Sequence, residues 1–212
     1  MRGLVRFAMA VVAVFIATVS APAADTTVTR AVAPFTSLRV DGHFILHVSQ
    51  GTTQSVQLVG DRYLINNLQI GVAKGVLSID RPHGFDLPKH QTVTITITVP
   101  ELTAVGLRGL VHASVTGLAG PAFALTNNGA AAATLTGAVG RFTLISRGVS
   151  SIDAGGLHAK TVTMLVRGQG NLRVFASQVA DVTMYGEGRI DVLGHPKVHQ
   201  FKTLAYGVIS LK

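Results

Sequence analysis

The chain has 212 residues, with 23 Gly, no Cys, no Trp, 13% charged residues and a formal net charge of +8. That length can bury a full core as one or two domains, and zero Cys excludes a disulfide scaffold, a thiolate metal site and cysteine catalysis. Hydrophobic content of 48%, with abundant Gly and Thr, argues against a disordered chain.

Arg2 and Arg6 precede an apolar run from Phe7 to Val19, broken only by Thr18, and Ala21-Pro22-Ala23 follows. A basic start, a short apolar stretch and an A-x-A site make a secretory signal peptide over residues 1–23. The apolar run is short of the ~20 residues that a membrane-crossing helix needs, so no stable membrane insertion is expected after cleavage. No Cys follows the small residues, which excludes lipid attachment. Two of the 18 basic residues leave with the signal, so 16 against 10 acidic residues gives a mature charge of +6. There is no Lys/Arg cluster or aromatic–basic interleaving, and nucleic acid is set aside as a partner.

Residues 24–33 read as a linker and 34–212 as one domain, with N-terminal strands over 34–100 and repeats over 101–212. Short alternating segments occur at Leu38–Val40, Phe44–Ser49, Ser55–Val59, Leu68–Ala73 and Val76–Ile79, separated by Gly and polar residues. Asp61 to Asn67 predicts a helix of one or two turns, capped by Asp61. From Gln91 to Val99 the chain alternates strictly, with Val93, Ile95, Ile97 and Val99 on one face and Thr on the other, a half-buried strand.

Beyond Leu102 the chain repeats. Phe123, Phe142, Val162, Val182 and Phe201 open successive units, and a Gly follows six residues after each: Gly129, Gly148, Gly168, Gly188 and Gly207, with Gly109 one unit upstream. A period near 20 residues with β-type alternation predicts a β-solenoid. Residues at Gly −6 and −4 (Phe123/Leu125, Phe142/Leu144, Val162/Met164, Val182/Met184) are expected to point inward, as are Ile152, Leu172, Val192 and Leu211 at Gly +4. The bend is expected to need the positive φ that Gly permits. Rungs stacked ~4.8 Å apart would then bury one continuous core.

Val99-Pro100-Glu101-Leu102 closing a strand, the apolar-x-apolar-x-x-x-Gly units, Phe35 to Val40, Val48 to Gly51, Gly60-Asp61 and the stretch Gly186 to Pro196 together resemble the GIN-head domain, the auto-transporter adhesin head family of bacterial envelope proteins. The resemblance covers roughly residues 34 to 212. It implies an all-β, right-handed parallel β-helix-like solenoid with N-terminal strands packed on it, and carries no established enzymatic activity. Arg147-Gly148 and Arg167-Gly168 depart from the Ser-Gly turns usual in that family. With the rungs running to Lys212, a translocator barrel is not expected, so the protein is expected in the periplasm or beyond, at the cell surface.

Candidate chemistry is sparse. His43 and His47 lie four apart on a strand, where that spacing is ~13 Å and cannot share an ion. His195 and His199 flank a turn, and His83, Asp86 and His90 share a loop that reads as solvated. No metal, cofactor or catalytic residue is assigned. Glu187 and Asp191 lie within one rung, with Asp153 two rungs away, too scattered for a clustered-carboxylate site. Before each bend stand Arg108, Asn128, Arg147, Arg167 and Glu187, a mostly basic ladder suited to carboxylated or sulfated glycans; the plainer reading is a solvated face with one Arg–Glu pair. An outward stripe of Ile145, Leu165, Tyr185 and Leu204 calls for a cover, first by the N-terminal strands, second by another protomer, with a ligand as the third alternative. The expected function is that of an exported, non-enzymatic, adhesin-like or ligand-binding protein, with a β-helix enzyme acting on acidic polysaccharide as the alternative.

Overall fold

The computed structural model describes residues 25–82 and 92–212. The signal-peptide assignment, Gln91, and the loop carrying His83, Asp86 and His90 lie outside the described residues.

Among the described residues thirteen strands and one short helix follow in order: β1 (Thr26–Thr29), β2 (Ser37–Gln50), β3 (Ser55–Gly60), α1 (Arg62–Asn67), β4 (Gln69–Ala73), β5 (Val76–Asp80), β6 (Val93–Val99), β7 (Ala104–Asn127), β8 (Ala130–Ser146), β9 (Val149–Val166), β10 (Gln169–Met184), β11 (Glu187–Leu193), β12 (Val198–Thr203) and β13 (Gly207–Leu211). From β2 onward, neighbouring turns of chain pair in parallel, β2 with β7, β7 with β8, β8 with β9, β9 with β10, and β10 with β11 and β12. The result is a β-solenoid whose turns recur about every 20 residues.

The expected strands and helix are present, with one merger. The segments at Leu38–Val40 and Phe44–Ser49 form a single strand that bends at Gly42. Asp61 caps α1 as its side chain predicts, its Oδ1 accepting from the backbone N–H of Tyr63 at 2.8 Å and of Leu64 at 3.2 Å.

The N-terminal strands meet the repeats edge to edge. β2 pairs with β7 along Ser37–Ser49, and on its other edge with β5 and β6. β3 then pairs antiparallel with β6, β1 with β3, and β4 with β5. These strands are hydrogen-bonded layers of the same stack.

Alternation decides what the stack buries. Phe123, Leu125, Phe142, Leu144, Val162, Met164, Val182 and Met184 are all buried, as are Ile152, Leu172 and Val192. The rings of Phe123 and Phe142 stack on adjacent turns, centroids 6.1 Å apart and 14° from parallel, within the range of favourable aromatic pairing. Leu211, expected inside, is 41% exposed: among the described residues no strand pairs with β13 on its outer edge.

The bends owe their glycines chiefly to crowding. A Cβ on Gly148 would collide with the backbone carbonyl of Gly129, and one on Gly168 with that of Gly148. Gly129 and Gly148 are not in the positive-φ region, so close approach between turns, more than φ, selects Gly there. The same column continues to Gly186 over Gly168, while Gly188 lies over Gly170. Gly188, expected in the bend column from the ~20-residue period, therefore lies two residues beyond it, and Gly186 occupies the bend. The cause is local: β9 and β10 shift register between Val174 and Phe175 and again between Ala176 and Val179, which shortens that turn. Val182 accordingly pairs with Met164, where the period had placed it opposite Val162.

Candidate functional site

The outward residue before each bend is fixed by a repeated backbone hydrogen bond. The N–H of Asn128 donates to the carbonyl of Leu107, Arg147 to Asn127, Arg167 to Ser146, Tyr185 to Val166 and Leu204 to Met184. Asp41 stands opposite Arg108 at the lower end. The column therefore reads Asp41, Arg108, Asn128, Arg147, Arg167, Tyr185, Leu204, one residue per turn.

Three neighbouring pairs in this column meet through their side chains. Arg108 Nη1 lies 3.7 Å from Asp41 Oδ2, with the Arg side chain 65% exposed. Arg147 Nη1 donates to Asn128 Oδ1 at 3.2 Å. The Arg167 guanidinium carbon sits 5.4 Å from the Tyr185 ring centroid, a cation–π contact. Arg108, Asn128, Arg147 and Arg167 thus form the expected ladder, and Glu187 does not join it. Glu187 falls opposite Gln169, whose Nε2 donates to its Oε2 at 3.2 Å. The register shift that moved the bend glycine also moved Glu187, leaving Tyr185 beside Arg167.

The apolar stripe is divided by the same shift. Ile145 pairs with Leu165, and both are half-buried, but their column continues to Thr183 and Lys202. Tyr185 and Leu204, 46% and 49% exposed, belong to the Arg column. The N-terminal strands join the stack through its edge at β2 and so do not lie over Ile145 and Leu165.

At the lower end the ladder opens onto a groove lined by Ser37, Arg39, Gly106, Arg108, Thr126 and Asn128. Arg39 pairs directly with Gly106. Absence of a side chain on Gly106 makes the hollow, and Arg39 and Arg108 flank it with two guanidinium groups, each offering a planar fork of donors to carboxylate or sulfate. Arg39 was not singled out from the sequence; the available signal was a Gly standing in a column that continues with Thr126, Ile145 and Leu165.

Carboxylates are arranged otherwise. Asp153 and Asp191 both pair with Arg173, one on each side. Asp153 Oδ1 accepts from the N–H of Gly155 at 2.9 Å, whereas Asp191 Oδ1 is buried with no hydrogen-bond partner among the described residues. His43 and His47 both lie on the outward face of β2, and the His199 ring is tilted 34° against that of Phe201, with centroids 5.2 Å apart. Among the described residues no three His, Asp or Glu side chains gather as a metal site. No helix of the described residues is long and apolar enough to cross a membrane.

Comparison with known proteins adds to this geometry. The family described as "Putative auto-transporter adhesin, head GIN domain" matches residues 34–196. A structure from Bacteroides fragilis titled as a "putative adhesin" is similar at TM-score 0.73 with 20% identity, covering 89% of this chain and 97% of that one. A "putative adhesin" from Parabacteroides merdae gives TM-score 0.56 at 16% identity, covering 89% and 96%. A "putative lipid binding protein" from Parabacteroides distasonis gives 0.50 at 14%, covering 89% and 97%. At such identities these likenesses establish the fold. The comparison with curated proteins finds no match.

Proposed function

From a chain that belongs to the head GIN domain family of auto-transporter adhesins, we propose an exported, non-enzymatic binding module whose Arg column and adjoining groove hold an anionic glycan of the cell surface. The observation that carries this reading is the in-register succession of Arg108, Asn128, Arg147 and Arg167 on one bend, ending at the Arg39–Gly106 hollow. Arg147 and Arg167 stand on adjacent turns ~4.8 Å apart, and Arg108 lies two turns below Arg147 with the Asn128 amide between them, a row of donors held in register by a scaffold that cannot splay. A carboxylated or sulfated polymer can lie along such a row and engage several groups at once. Export is supported by the basic, apolar and A-x-A pattern of residues 1–23 and by the adhesin family; the periplasm or cell surface is the compartment proposed.

The test is a glycan-array screen of the purified protein, followed by titration of the best anionic hit against Arg147→Glu with Arg167→Glu. Loss of two charge-assisted contacts should weaken binding roughly tenfold or more. Unchanged affinity sinks the proposal.

The unpartnered Asp191 oxygen favours a second reading, an enzyme that hydrolyses acidic polysaccharide, since two carboxylates flanking Arg173 could serve as acid and base. Release of new reducing ends from a polyuronate, abolished by Asp191→Asn, would establish it over simple binding.

A further inference from the structure

We propose that the C-terminal end of the solenoid is a docking site for an extended, acidic segment of a partner protein, which adds there as the next strand of the stack. The two ends of the stack differ. At the N-terminal end the layers finish in antiparallel β1 and β4, and α1 buries Leu64 and Ile65 against the core. At the other end β12 pairs with β10 and β13 with β11, and among the described residues neither has a strand on its outer edge.

Register makes the consequence explicit. Ala180, Val182, Met184, Ile190 and Val192 are each 0% exposed. Their partners one turn further on are His199, Phe201, Thr203, Ile209 and Leu211. Of these, His199, Thr203 and Leu211 are exposed, and Phe201 and Ile209 only half-buried. The same inward positions that form a sealed core in one turn form an open apolar end in the next. Among the described residues no strand pairs with the outer backbone N–H and C=O groups of β12 and β13, the condition that strand addition requires.

Charge selects the occupant. Residues 195–212 carry Lys197, Lys202 and Lys212, and no Asp or Glu. Two copies meeting end to end would bring like charges together on adjacent strands, which opposes self-pairing. A strand alternating apolar and acidic residues would cover Phe201, Ile209 and Leu211 while its carboxylates meet the lysines. This site is separate from the Arg column and stands whether or not glycan binds there.

The experiment titrates a fluorescent Glu-Val-Glu-Val-Glu-Val-Glu peptide with the purified full chain, and with the triple variant Lys197→Glu, Lys202→Glu, Lys212→Glu. Expected are saturable binding, protection of the β12 and β13 amides from hydrogen exchange, and affinity at least tenfold weaker for a peptide with Lys in place of Glu. The triple variant, which alters only exposed side chains, should reverse that preference, and Arg147→Glu with Arg167→Glu should leave it intact. Equal affinity for both peptides, loss of binding in the Arg variant instead, or a concentration-dependent dimer that protects β12 and β13 without peptide would each overturn the proposal.

Discussion

At the scale of single residues, the bend depends on what a polar side chain and a missing side chain do inside a packed turn. Asn127 is fully buried, its Oδ1 accepting from the N–H of Gly129 at 3.0 Å and its Nδ2 facing the carbonyls of Gly129 at 3.2 Å and Val149 at 3.3 Å. Ser146 joins it at 3.4 Å and passes a hydrogen bond on to Ser150 at 3.1 Å. Truncating Asn127 leaves buried backbone groups unpaired, so Asn127→Ala should lower stability by about 1–3 kcal/mol in urea unfolding, with an unchanged m-value. Gly148→Ala drives a Cβ into the carbonyl of Gly129 and should cost about 1–3 kcal/mol, whereas the same change at the open Gly71 should cost far less. Asn127 stands two residues beyond the inward Leu125, but its role was not legible in the sequence, because two of its partners, Ser146 and Val149, come from the next turn.

At the scale of elements, periodicity identified the turns but not their register. Counting from the apolar openings aligns β7, β8 and β9 correctly, because Phe123 pairs with Phe142 and Phe142 with Val162, and the shifts within those turns change the offset by only one residue. Between β9 and β10 the irregularities at Val174/Phe175 and Ala176/Val179 remove two residues from the turn. Counting from apolar openings then assigned Glu187 to the Arg column and Tyr185 to the apolar stripe. A shift of two preserves the inward–outward parity, so the hydrophobic pattern alone cannot detect it. The glycine pair Gly186 and Gly188 held the ambiguity, and only stacking against Gly168 resolves it. The corrected column has a consequence for binding. Asp41 places a carboxylate beside Arg108 at its lower end, and this exposed pair contributes about 0–1 kcal/mol. Asp41→Asn should therefore leave unfolding midpoints nearly unchanged while tightening any anionic ligand held by Arg39 and Arg108. That gain should shrink as salt is added, because exposed charges are screened within ~10 Å at 0.1 M ionic strength; calorimetric titration at low and high salt measures both.

At the scale of the whole molecule, the solenoid stores its stability between neighbouring turns, so position along the stack governs what a given side chain contributes. Phe142 and Phe201 present the same chemistry in different places. Phe142 is 1% exposed and lies on Phe123 within the sealed core. Phe201 occupies an inward position one turn beyond Val182, half-buried, with the His199 ring tilted against it and, among the described residues, no strand beyond. Phe142→Ala removes a ring enclosed on all sides and should cost about 3–5 kcal/mol. Phe201→Ala removes a ring already facing water and should cost well under half of that, a contrast readable in paired denaturant melts. Hydrogen exchange should show the same gradient, with amides of β8 and β9 opening only with global unfolding and those of β12 and β13 exchanging first. Addition of an acidic strand should close the gap between the two phenylalanine variants, since Phe201 then acquires the enclosure that Phe142 has by construction of the fold. If the two truncations cost the same in the protein alone, the end is already covered and the asymmetry of the stack is not what the register implies.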